Sequence, residues 1–427
     1  MTTPPKTHDK RPGVGSFSMS DSSVASCPHD YYAAMRRESP VHCDPGTGFY
    51  WVSQYADVVR AAADVAALSS KSPVILKKSF RPRAQAMWDA AGMEAIDTLV
   101  TADPPDHDHY RAVGMSFFTP AKVAELTPQI EARVHALIDE FVDKDEVDFI
   151  ESFASRLPGT IVCDEFGFPR SDQQKFKNWT DAIIGLITPG ITEEQEIDLV
   201  ERVIELFRYL ESHLRRAAEE PRGRVIHALA TMPRRDGTPF TMLERSWMAV
   251  VTFVGGNETT INMLAAGVRR LANNASLQST LRKDPGLMGA FVEELLRYDS
   301  SVQALLRVAN HEMQIRGTSI PAGANVVLCT ASANRDESRW TDPDEFRLDR
   351  LDVRRHLAFG HGRHACIGMH LARREMQIAF TALLSRLDNI ELAIPDSEVE
   401  QLPLPFHRGV ARLPIRFTHR DANNSAL

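Results

Sequence analysis

The chain has 427 residues, 43% of them hydrophobic and 25% charged, with a formal net charge of -8. That composition is globular and excludes a wholly disordered chain, and the surplus of acid favours solubility and argues against nucleic-acid binding. The five cysteines (Cys27, Cys43, Cys163, Cys329 and Cys366) are odd in number, widely spread and without a CxxC pair, as expected of a reducing, cytoplasmic compartment.

Residues 1–26 are rich in Pro, Ser, Gly and charge and lack an apolar h-region. They predict a disordered N-terminal arm rather than a signal peptide. No linker or internal repeat interrupts the remainder, which predicts a single domain over 27–427. Apolar runs at 40–42 and 49–52, separated by Asp44-Pro45-Gly46, predict a hairpin. A helix is expected from the segment 103–111, which has prolines in its first turn and His107 and Arg111 on one face at i, i+4.

Apolar 3.6-residue periodicity then predicts helices over 121–142, 172–187, 193–217, 241–273, 286–298 and 369–387. Short strands are expected at 304–316, 324–330, 390–393 and 410–417. The fold class is therefore mainly α with small β-sheets (α+β). Around the most apolar helix the charge-free run is 246–257, shorter than the ~20 residues of a membrane span.

The segment 242–273 breaks its own pattern. In its middle stand Gly255, Gly256, Asn257, Glu258, Thr259 and Thr260, where each glycine costs roughly 1 kcal/mol against alanine. A helix that accepts this penalty needs room there; alternatively, it is a kinked core helix with Thr259 bonded back to a carbonyl. Further on, Glu294 and Arg297 share a helix face at i, i+3, and Arg350 follows.

Cys366 lies in Phe359-Gly360-His361-Gly362-Arg363-His364-Ala365-Cys366-Ile367-Gly368. Glycines permit tight turns and close approach to a flat ligand. Cationic neighbours and a following helix N-terminus lower a thiol pKa, which predicts an ionised Cys366 at neutral pH. A single thiolate does not make a structural zinc cage, but it suits the axial position of haem iron. A zinc site built from His356, His361, His364 and Cys366 is the rival arrangement, and it leaves Gly255 and Gly256 unexplained.

The pattern Phe-x-x-Gly-x-His-x-Cys-x-Gly, followed by Ala372, resembles the haem-binding loop of the cytochrome P-450 superfamily in its bacterial form. The resemblance covers about 41–417 and implies the cytochrome P-450 fold, with haem b buried between the long distal helix and the proximal helix. It implies Cys366 as the iron ligand, Phe359 and Gly368 as loop residues against the haem, and His107, Arg111, Arg307 and His364 as partners of its propionates. Glu258 and Thr259 resemble the family's catalytic acid–alcohol pair, with Gly255 and Gly256 opening a groove for dioxygen. Glu294, Arg297 and Arg350 match its structural triad.

The implied activity is that of a monooxygenase hydroxylating or O-dealkylating a small apolar or aromatic substrate with O2. No flavin or Fe–S motif is present, so electrons are expected from a ferredoxin and an NAD(P)H-dependent ferredoxin reductase, docking on Arg354, Arg355, Arg363, Arg373 and Arg374. By the same resemblance the pocket is lined by the segments 72–100 and 183–192 and by Val251, Val254, Gly255, Gln303, Leu305, Leu306 and Phe406. Lys77, Lys78, Arg81 and Arg83 are candidates to receive a substrate carboxylate. A peroxide-using peroxygenase and a non-catalytic haem sensor are the alternatives, and neither needs the acid–alcohol pair.

Overall fold

A computed structural model describes residues 12–72, 79–186, 190–402, 404 and 406–420. Six long helices follow the apolar periodicity: Pro120–Asp139, Gln173–Leu186, Glu193–Glu219, Met242–Ala272, Met288–Asp299 and Met369–Arg386. Three of them, starting at Pro120, Glu193 and Met242, are capped by a threonine side chain that satisfies an otherwise unpaired N–H group. Capping boxes close two of them, Thr192 with Gln195 and Thr241 with Glu244. The helix Arg156–Phe166 escapes the sequence pattern because it contains Pro158 and Gly159 and is buried on nearly every side, which leaves no polar face to reveal its period.

The strands are β1 (Val41–Cys43), β2 (Tyr50–Val52), β3 (Leu68–Ser69), β4 (Glu146–Asp148), β5 (Leu305–Ala309), β6 (Met313–Ile315), β7 (Thr318–Ile320), β8 (Asn325–Leu328), β9 (Leu387–Leu392) and β10 (Pro414–His419). They form a five-stranded sheet in the order β1-β2-β8-β5-β3, a three-stranded sheet β4-β10-β9 and the pair β6-β7. The expected hairpin is β1 against β2, with Val41 opposite Val52. At two and three residues, β3 and β4 are too short to show an alternation.

Met242–Ala272 is the axis of the molecule, about 46 Å long at 1.5 Å per residue. It packs against Arg156–Phe166, Glu193–Glu219, Met288–Asp299 and Met369–Arg386. Gly267 allows one of these contacts, since a Cβ there would lie 2.2 Å from the ring of Phe380. Among the described residues, no helix is long and apolar enough to cross a membrane.

The expected disordered arm needs correction over its described part. Residues 12–26 carry a 3-10 turn at Val14–Ser16 and a helix at Ser22–Ser26, and Met19 is buried. The physical reason is Asp44, a buried carboxylate that accepts from Met19 N, Ser18 Oγ and Tyr31 Oη, each at 2.9 Å, and so ties the arm to the first hairpin. Residues 1–11 lie outside the described residues.

Candidate functional site

The Cys366 loop is a backbone trap. Gly360 and Gly362 have φ of +71° and +70°, a region that L side chains adopt only with strain. These turns bring Cys366 N within 2.8 Å of Phe359 O and send the chain into the helix Met369–Arg386. Gly368 has an ordinary φ of -88°, and a Cβ there would make only an ordinary contact with Cys366 Sγ, at 3.9 Å. The thiol's surroundings do not lower its pKa as the sequence predicts. Burial pushes its pKa up, and the Gly368 N–H and the charges of Arg111 and Arg373 offset this only in part.

Three elements deliver hydrogen-bond donors to this loop. His107 and Arg111 come from the helix Asp106–Gly114, Arg307 from β5, and His364 from the loop itself. The rings of His107 and His364 are 4.2 Å apart, and Arg111 Nη1 donates to the Ala365 carbonyl. His364 Nε2 pairs with Ser70 Oγ at 3.0 Å. Burial, followed by the charges of Arg307, His107 and Arg111, lowers the His364 pKa to about 3. Burial lowers Arg307 to about 10, with Asp103 resisting.

Several donors here lack a hydrogen-bond partner although buried: His107 Nε2, His364 Nδ1 and Arg307 Nη2. Orphaned buried donors cost about 1–3 kcal/mol each. Their convergence beside a lone thiol and an open loop fits a flat, dianionic, metal-bearing group such as haem. The zinc arrangement does not fit: His356 is buried and pairs with Glu293 at 3.1 Å. Among the described residues no group of three or more His, Cys, Asp or Glu could hold a metal ion.

Glu258 and Thr259 lie mid-way along the long helix. A Cβ at Gly255 would meet no atom within 4 Å, so the helix has the expected room there, whereas a Cβ at Gly256 would crowd Val162 Cγ2 at 3.3 Å. Thr259 Oγ1 donates to Gly255 O at 2.9 Å, the back-bonded arrangement. That bond uses the hydroxyl's one proton and leaves its lone pairs free to accept. Glu258 accepts from Asn262 Nδ2 at 3.4 Å, and burial, reinforced by Asp181, raises its pKa. Among the described residues, no hydrogen bond or ion pair joins these two to the Cys366 loop.

Glu294, Arg297 and Arg350 meet in a buried cluster: Arg297 Nη2 is 2.7 Å and Arg350 Nε 3.1 Å from the Glu294 carboxylate. The sequence reading missed Glu293 beside it. Burial opposes ionisation of Glu293, but hydrogen bonds from His356 and Arg373 outweigh it and hold the pKa at about 2. It also missed Glu375, a carboxyl that burial pushes up to about 8. Neither residue stands out from ordinary helical acids in sequence.

The expected pocket residues divide. Val251, Val254 and Leu305 are half-buried and Gly255 is exposed. Leu305 and Leu306 alternate along β5 and so point to opposite faces. Gln303 is buried, with its backbone N–H bonded to Phe406 O at 2.9 Å, and the Phe406 ring stacks on Trp51. Neither fits a free pocket wall as well as Leu305 does. Within 183–192, residues 187–189 lie outside the described residues, as do Lys77 and Lys78. Arg81 is instead bonded to Ile191 O, and Arg83 lies 4.0 Å from Glu194.

The expected docking arginines divide as well. Arg354, Arg355 and Arg363 have side chains 79%, 70% and 50% exposed. Arg373 is held by Glu293 at 2.6 Å and Arg374 donates to Thr127 Oγ1 at 3.0 Å, so both turn inward.

A family model described as cytochrome P-450 matches residues 150–414. The chain is 33% identical to cytochrome P-450 109 of Bacillus spizizenii over 92% of each chain. It is 32% identical to the cytochrome P-450 monooxygenase PikC of Streptomyces venezuelae, again over 92% of each. The solved structure of cytochrome P-450 CYP109Q5 from Chondromyces apiculatus superposes with a TM-score of 0.84 and 30% identity, covering 95% of this chain and 99% of that one.

Proposed function

The chain belongs to the cytochrome P-450 family, and on that premise we propose that it is a monooxygenase in which Cys366 is the axial ligand of haem b. When bound, the thiolate-ligated haem supplies the redox chemistry by which one atom of dioxygen enters the substrate and the other leaves as water. The observation that carries the assignment is the Cys366 loop, with buried, unpartnered donors gathered around it.

The roles of the chain's residues follow from their placement. Arg307 would neutralise propionate charge, and His107 and His364 would donate hydrogen bonds to it, with donors that are otherwise orphaned. Arg111 holds the loop through Ala365 O and supplies positive charge beside the sulfur. Phe359 and Gly368 shape the surface against the ring. Glu258, whose burial favours the protonated carboxyl, hands protons to the oxygen site. Thr259 must turn its hydroxyl proton from Gly255 O to take part.

Val251, Val254 and Leu305 give the substrate pocket an apolar wall, with Gly255 leaving room, which favours a small hydrophobic compound. The two electrons come from a ferredoxin and its NAD(P)H-dependent reductase, and the exposed Arg354, Arg355 and Arg363 receive the acidic ferredoxin. The domain expected over 27–427 takes in residues 12–26 as well and acts as one unit, in the cytoplasm. Turnover under isotopically labelled dioxygen, with ferredoxin and reductase supplied, tests the proposal. One labelled atom in each product molecule is expected; product formed only with added peroxide would show a peroxygenase instead.

A further inference from the structure

Away from the Cys366 loop, the second half of the long helix borders a cavity of about 440 Å³. Four arginines line it: Arg269, Arg270, Arg335 and Arg408. Three have carboxylates, Arg269 with Asp396 at 2.6 Å, Arg270 with Asp299 at 2.9 Å and Arg335 with Asp344 at 3.1 Å. Among the described residues Arg408 has none. Its Nη1 instead lies 3.0 Å from Nε2 of His29, which also lines the cavity.

A guanidinium only donates, so this contact makes Nε2 the acceptor and the imidazole neutral. Burial first, then the charges of Arg335, Arg408 and Arg36, hold the His29 pKa well below its ordinary value. The surroundings therefore repel a further positive charge. Two more lining residues have unspent donors: Arg335 is nine-tenths buried with Nε unpartnered, and Gln401 Nε2 is buried and unpartnered. Surplus positive charge and unsatisfied N–H groups call for the same partner, an oxyanion.

We propose that this cavity is a binding site for a small phosphate-bearing anion, with Arg408 as its principal charge partner. A volume of this size suits a small molecule, and guanidinium groups match the geometry of phosphate oxygens. The site does not depend on the role of Cys366. Its occupant is close to the proposed acid, because Asn262 lines the cavity and its amide also reaches Glu258.

The test is calorimetric titration of the haem-loaded full chain with inorganic pyrophosphate at low and moderate salt. Saturable one-to-one binding is expected, weakened at least about tenfold by Arg408→Gln, which removes a charge-assisted contact. Asn274→Asp adds a negative charge to the cavity wall while keeping the helix cap that Asn274 provides to Leu277 N, and it too should weaken binding. Arg420→Gln, outside the cavity, should leave binding unchanged. Absence of saturable binding, full affinity in both cavity variants, or an equal loss in Arg420→Gln would each overturn the proposal. Should Arg408→Gln fail to fold, Asn274→Asp decides.

Discussion

Replacing Glu294 by Gln keeps the side chain's shape and removes its charge. Glu294 and Arg297 are fully buried, and the carboxylate accepts from Arg297 Nη2 at 2.7 Å, Arg297 Nε at 2.8 Å, Arg350 Nε at 3.1 Å and Arg347 N at 2.9 Å. The variant leaves two guanidiniums, Arg297 and the 5%-exposed Arg350, with no neutralising partner. Breaking a buried pair in this way costs about 3–5 kcal/mol, at least about a fifth of the ~5–15 kcal/mol that holds most folded domains.

The damage should be local at first. Arg297 donates to the carbonyls of Asn334, Pro343 and Glu345, and Arg350 to those of Thr341, Asp342 and Glu345. Glu294→Gln should therefore lower the thermal unfolding midpoint seen by circular dichroism and speed amide exchange across 334–350. Adding Arg350→Met removes one of the stranded charges, so part of the loss should return. A Glu294→Gln protein within about 0.5 kcal/mol of the parent, the range of an ordinary surface substitution, would refute the reasoning.

Thr259→Ala should leave haem binding intact but divert NAD(P)H electrons into peroxide; unchanged coupling of electron use to product would reduce Thr259 to its bond with Gly255 O. Glu293 has a pKa depressed to about 2, so its contribution is fully present above the unfolded carboxyl value of about 4.5 and is lost as pH falls towards 2. That contribution is about 3 kcal/mol, and the stability gap between the parent and Glu293→Gln should narrow over this window in acid-unfolding titrations. A gap constant from pH 5 to pH 2 would contradict the assignment. Gly360→Ala forces a Cβ onto φ of +71° and should cost about 1 kcal/mol or more while weakening haem retention; equal stability and retention would mean the turn relaxes.

The long helices were legible because each buries one face and shows it as a 3.6-residue period. Arg156–Phe166 was not, since burial all round erases that contrast. The Cys366 loop was legible as a local pattern in which glycine positions, cysteine and following helix are contiguous. What surrounds the sulfur was not, because the balance between burial and cationic neighbours is set by chain segments far apart in sequence, and burial won where charge alone predicted ionisation. The same holds for Glu293, whose partners His356 and Arg373 come from distant segments. Ser18 and Met19 looked like part of a disordered arm until Asp44 supplied acceptors that a local reading cannot see.

The central claim is that Cys366 ligates haem as a thiolate. Purified protein reduced with dithionite and exposed to carbon monoxide should give a difference spectrum with a strongly red-shifted Soret band, and Cys366→Ser or Cys366→His should abolish that band together with oxygenation. Bound haem without the shift in the parent protein, or an unaltered spectrum and turnover in either variant, would contradict it.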